Sequence, residues 1–163
     1  MKRNSTLYLT RGALISALYV ALCYVSSIFG LHNGVIQFRL SELLCILPYF
    51  LPEAVPGLFI GCLLSNILMS SAIYDVIFGS IATLIGAIGT RLMHKLPKKR
   101  LGLASLPPVI SNGLIVPLIL IFAYQVPEGY PFLLFTVTLG EFITASIGGS
   151  MLGYSLDRTA IFK

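Results

Sequence analysis

Apolar and polar positions alternate along this chain in long blocks rather than residue by residue. Six apolar runs stand out, from about Leu7 to Phe29, Leu40 to Leu51, Glu53 to Ser70, Asp75 to His94, Leu106 to Tyr124 and Pro131 to Tyr154. A helix that crosses the hydrocarbon core of a bilayer needs about 20 apolar residues, and most of these runs approach that length. The second is shorter and ends against Pro48 and Pro52. The first follows Lys2 and Arg3, as a secretory signal would. It is too long for a signal core and has no clear cleavage site, so it reads as a permanent span. Pro107-Pro108 opens the fifth run, where proline suits a first helical turn, and Pro117 within that run predicts a kink. The pattern predicts an all-α integral membrane protein of six transmembrane helices, forming one membrane domain over residues 1–163.

Charge sets the expected orientation. Only 10% of the residues are charged and 56% are hydrophobic, against about 25% charged in a soluble domain. The net charge of +5 is gathered at three places: Lys2, Arg3 and Arg11; Arg91, Lys95, Lys98, Lys99 and Arg100; Arg158 and Lys163. Six spans put all three clusters on one side, and basic loops stay in the cytoplasm. Both termini are therefore expected to be cytoplasmic, with Gly30–Phe38, Ser70–Tyr74 and Gln125–Tyr130 outside. Membrane lipid is the expected surroundings, and this clustering is not a nucleic-acid face. Cys23, Cys45 and Cys62 match no zinc or redox spacing and read as small buried hydrophobes.

Arg39 is the one basic residue left outside those clusters. It lies in Gln37-Phe38-Arg39-Leu40-Ser41-Glu42, a polar knot between two apolar runs. Charged groups at such positions are costly and are usually tied to function. With Asn66, Asp75, Asn112 and Glu141, this knot supplies the polar side chains of a candidate pocket opening outward. Glu141 falls near mid-depth with no basic neighbour in sequence, and Asn112, nearer the cytoplasmic end, fits the pocket least well. Structural alternatives stay open: Arg39 and Glu42, three apart, would face each other on a helix. Asp75 would cap a helix, and the asparagines would bond between helices. His32 and His94 read as ordinary surface histidines. Ala13, Ala17 and Ala21 form a stripe of small residues on one helix face, suited to close helix approach either within the bundle or with a partner. No HExxH, GxSxG or P-loop is present, and no histidines cluster with carboxylates, so no enzyme activity, metal or cofactor is expected.

The segments Ile36-Gln37-Phe38-Arg39-Leu40-Ser41-Glu42 and Pro56-Gly57-Leu58-Phe59-Ile60-Gly61-Cys62-Leu63-Leu64-Ser65-Asn66 resemble the queuosine-precursor transporter (QueT) family. So do Asp75-Val76-Ile77-Phe78-Gly79-Ser80-Ile81-Ala82-Thr83-Leu84, Pro107-Pro108-Val109-Ile110-Ser111-Asn112 and Gly140-Glu141, in the same order along the chain. The resemblance implies a six-helix substrate-binding (S) subunit of an energy-coupling factor importer. Its partners would be a transmembrane coupling subunit and two ATP-binding-cassette ATPases, and Ala13, Ala17 and Ala21 would dock onto the coupling subunit. The implied cargo is a 7-deazaguanine: a nitrile or aminomethyl precursor of queuosine, or queuine. Glu141 or Glu42 would accept from the guanine-like edge, and Asn66, Asn112 or Gln37 would read its carbonyl and ring nitrogens. Phe38, Tyr74 or Phe78 would stack on the ring, and Asp75 or another carboxylate would meet a cationic amine. Two alternatives remain: an S subunit for a carboxylated vitamin anchored by Arg39, and a stand-alone carrier or channel that uses Glu141.

Overall fold

The computed structural model describes residues 5–30 and 38–159. Gln37, His32 and most of the first expected outer loop lie outside the described residues. Among the described residues the chain is helical, with no strand. Six helices follow one another: α1 (Ser5–Ile28), α2 (Leu40–Phe50), α3 (Ala54–Leu68), α4 (Asp75–Lys95), α5 (Leu101–Phe122) and α6 (Tyr130–Arg158). Four of them, α1, α4, α5 and α6, are long and apolar enough to cross a membrane, while α2 and α3 are shorter. At about 1.5 Å per residue, α3 is roughly 22 Å long.

Proline explains why α2 is short. Its first part, Leu40–Ile46, winds as a 3₁₀ helix, and an α-helical turn begins only at Leu47. Pro48 sits in the first turn of that piece, where a missing N–H costs nothing. Leu51 is extended, at φ −123 and ψ 114, because the ring of Pro52 disfavours helical geometry in the residue before it. Pro107 likewise sits in the first turn of the long helical piece Leu106–Phe122, and Pro117 is accommodated inside it.

Contacts between helix ends fix the directions. At one end, Arg11 Nη1 donates to Glu53 Oε1 at 3.2 Å. Arg91 Nη1 donates to the Pro48 and Tyr49 carbonyls at 3.3 and 3.4 Å. The Tyr49 hydroxyl donates to the Leu96 carbonyl at 2.6 Å, and that of Tyr154 to the Lys99 carbonyl at 3.2 Å. This basic end gathers the start of α1, the α2–α3 turn, the α4–α5 connection and the end of α6. The Leu40 amide donates to Ser26 Oγ at the opposite end, and the Tyr124 hydroxyl donates to Asp75 there. The helices therefore alternate in direction.

Small residues set the closest approach. A Cβ at Gly57 would lie 2.8 Å from the Gly12 carbonyl, and one at Gly61 2.8 Å from Tyr19 Cβ. The α1 face used here includes Gly12, Ile15, Ser16 and Tyr19, and it continues into a core with Leu44, Cys45, Leu58 and Cys62. Ala13, Ala17 and Ala21 are exposed, so the alanine stripe plays no part in packing α1 against the described bundle. Much of the outer surface is apolar, with Leu9, Leu14, Ile28, Phe122, Phe135 and Met151 all exposed, as befits a surface facing lipid tails.

Candidate functional site

The three buried carboxylates near the middle and non-basic end of the bundle all stand where the helix departs from α geometry. Glu42 is in the 3₁₀ turn of α2. Asp75 begins a widened π-helical turn, Asp75–Gly79. Glu141 immediately precedes another, Phe142–Gly148. Such turns re-aim side chains and recur at functional sites. Asn66 supports the first of them: its Nδ2 donates to the Asp75 carbonyl at 3.1 Å, and Cys62 Sγ lies at 3.7 Å.

Glu42 is fully buried, and both of its oxygens are engaged. The Tyr19 hydroxyl donates to Oε1 at 2.7 Å. The Cys45 thiol donates to Oε2 at 2.9 Å, and Asn112 Nδ2 reaches the same atom at 3.4 Å. A buried carboxylate with this many donors is satisfied without a counter-ion.

Arg39 pairs with Asp75 rather than with Glu42. Its Nη2 lies 3.8 Å from Asp75 Oδ2, and both side chains are under one-tenth exposed. The Tyr124 hydroxyl donates to the same Oδ2 at 3.2 Å and accepts the Ala72 amide at 3.3 Å. Partial burial, and then the adjacent Asp75 carboxylate, push the Tyr124 phenol above its usual range, so it stays protonated and donates. Asp75 is not a helix cap: its own amide already bonds to the Ala72 carbonyl, and its Oδ2 faces Arg39 and Tyr124.

Among the described residues, three buried polar atoms here have no hydrogen-bond partner: Arg39 Nε, Asp75 Oδ1 and Glu141 Oε2. Glu141 is 5% exposed. Its side chain lies within reach of those of Glu42, Arg39 and Asn112. A buried polar atom left without a partner costs about 1–3 kcal/mol. The three are one donor and two acceptors. No group of side chains suited to a metal is present among the described residues.

The bonds join Arg39, Asp75 and Asn66 in one buried polar group and Glu42, Asn112 and Glu141 in another beside it. Phe38 is half-buried next to Arg39. Tyr74 and Phe78 instead stack on each other at 6.5 Å, about half exposed on the outside of α4. His94 is exposed at the basic end. An open groove of about 580 Å³ between α5 and α6, lined by residues such as Val109, Leu114 and Phe135, holds no charged group. Sequence reasoning missed Tyr19, Tyr124 and the cysteine thiols. A tyrosine at mid-run, away from the membrane surface, was the available signal, because a buried phenol needs a partner. Cys23, Cys45 and Cys62 are buried as expected, yet the first two donate hydrogen bonds and Cys62 receives them.

Long apolar helices surrounding buried polar side chains define a multi-pass membrane protein. The chain belongs to the QueT transporter family, whose model matches residues 9–158. It is 35% identical over 85 residues to the queuosine precursor transporter QueT of Lactococcus lactis subsp. cremoris (strain MG1363). That match spans 52% of this chain and 50% of the relative, so about half of each is compared. No solved structure matches the chain.

Proposed function

We propose that this chain is the substrate-binding subunit of an energy-coupling factor importer, capturing a 7-deazaguanine precursor of queuosine outside the cell. A transmembrane coupling subunit and two ATP-binding-cassette ATPases then draw the cargo inward. In this reading all six helices lie in the membrane as one domain, with the basic end and both termini cytoplasmic. The observation that carries it is the trio of buried, unpartnered atoms on Arg39, Asp75 and Glu141, set in a member of a transporter family.

The free atoms suit such a base. Glu141 Oε2 accepts from the ring N–H and exocyclic amine, and Arg39 Nε–H donates to the ring carbonyl. Asp75 Oδ1 takes the cationic amine of an aminomethyl base or queuine. Asn112 orients Glu141, Asn66 holds the turn that carries Asp75, and Glu42 braces the network. Phe38 offers a ring for stacking. The Asp75 carboxylate already answers the Arg39 charge, which argues against Arg39 as the anchor for a carboxylated vitamin. The exposed stripe of Ala13, Ala17 and Ala21 faces the coupling subunit.

The test is a titration of purified protein with nitrile and aminomethyl 7-deazaguanines, queuine, guanine and carboxylated vitamins. Selectivity for deazaguanines is expected; preference for a carboxylated vitamin overturns the cargo. Ala17→Phe should abolish co-purification with the coupling subunit while leaving cargo affinity within about twofold, since a bulky side chain blocks close helix approach. Retained co-purification contradicts the docking role.

A further inference from the structure

The face of α1 opposite the alanine stripe carries a second set of contacts that the cargo-binding reading does not use. Tyr19, Cys23 and Ser26 recur at helical spacing on this face, and all three are buried. Each bonds to one of three successive residues of α2. The Tyr19 hydroxyl donates to Glu42 Oε1 at 2.7 Å, the Cys23 thiol donates to Ser41 Oγ at 3.2 Å, and Ser26 Oγ accepts the Leu40 amide at 2.9 Å.

The recipient segment needs outside support. It winds as a 3₁₀ helix, whose own hydrogen bonds are poorer than those of an α-helix. Its first amides have no acceptor within the helix, and the Arg39 side chain does not cap it. Ser26 provides that cap from another helix. Arg39 immediately precedes the turn, so the turn's position sets the backbone from which Arg39 reaches Asp75. Tyr19, with Cys45 and Asn112, also fills both oxygens of Glu42, whereas one oxygen of Glu141 stays open.

We infer that Tyr19 and Ser26 are positioning residues: they hold the Leu40–Glu42 turn so that Glu42 serves as a brace and Glu141 is the carboxylate left to read the cargo. This rests on the proposed cargo-binding role of Arg39 and Glu141. Tyr19→Phe removes the bond to Glu42, and Ser26→Ala removes the bond from the Leu40 amide together with the hydroxyl's own bond to the Leu22 carbonyl within α1, each with little change in volume or helix propensity.

Hydrogen exchange without any ligand tests the positioning directly. Loss of one buried bond should speed amide exchange across residues 38–46 about tenfold in either variant, with the rest of the bundle unchanged. Unchanged exchange there, or an equal rise throughout the chain, overturns the inference. Binding of the 7-deazaguanine nitrile tests the route through Glu42. Tyr19→Phe should lose about tenfold in affinity, and little more when added to Glu42→Gln. Equal losses in the two backgrounds overturn action through Glu42. Wild-type protein that binds no deazaguanine contradicts the proposed cargo, and the exchange result still decides the positioning role.

Discussion

An arginine–carboxylate pair at one end of the bundle and another at the opposite end are built differently. Arg11 and Glu53 meet at 3.2 Å at the basic end, where the arginine side chain is 44% exposed. Arg39 and Asp75 lie 3.8 Å apart at the other end, with side chains 9% and 5% exposed. The first pair has close geometry and access to water. The second is sealed from solvent, loosely matched, and has Arg39 Nε and Asp75 Oδ1 unpartnered. Burying charges in poor geometry is unfavourable for stability alone. The close, partly hydrated pair is complete in itself, whereas the loose, buried pair leaves one donor and one acceptor unmet among the described residues.

The contrast orders the expected effects of substitution. Arg39→Ala leaves Asp75 buried without a counter-charge and should cost about 3 kcal/mol of stability, measured by thermal or denaturant unfolding in detergent. Cargo binding should fall with it. Arg39→Lys keeps the charge but loses the planar fork and the Nε–H, so affinity for the 7-deazaguanine nitrile should drop about tenfold with stability largely retained. Full affinity in Arg39→Lys would limit Arg39 to a point charge. Glu53→Gln should cost no more than about 1 kcal/mol, because its partner is largely solvated, and titration should find cargo affinity within about twofold of wild type. The smallest effects lie in the turns. Ser70 and Gln125 hold left-handed φ values of 55 and 52, just past the ends of α3 and α5. Glycine at either position should stabilise the protein by about 0.5–1 kcal/mol in the same unfolding assay, without altering binding.

Much of the fold was legible in the sequence. Block hydropathy located every helix to within a few residues, because a bilayer demands long apolar helices whatever their packing. The charge clusters foretold which helix ends lie together. Length was less legible for α2 and α3: Pro48 and Pro52 were visible, but the 3₁₀ winding of Leu40–Ile46 depends on bonds from Tyr19, Cys23 and Ser26 on another helix. Most candidate site residues do bond to one another, in two neighbouring groups, since buried polar groups must find partners and the sequence offers few. Which partner each finds was not legible. Arg39 and Glu42 are three apart and invite pairing, yet Glu42 is filled by Tyr19, Cys45 and Asn112 while Arg39 turns to Asp75. Asn112 seemed too far toward the basic end, and the placement of α2 beside α5 brings Glu42 to it. Tyr74 and Phe78, well placed by sequence number, are turned outward on α4.

The most direct measurement compares Glu141→Gln with Glu53→Gln by titrating each with the 7-deazaguanine nitrile, wild-type protein alongside. Both substitutions neutralise a buried carboxylate at nearly constant volume, one with an unpartnered oxygen and one already paired with Arg11. Losing a carboxyl acceptor for the cargo should weaken binding by roughly 10- to 100-fold in Glu141→Gln, while Glu53→Gln stays within about twofold. Wild-type affinity in Glu141→Gln, or equal losses in the two variants, would contradict the assignment of the unpartnered cluster as the cargo site.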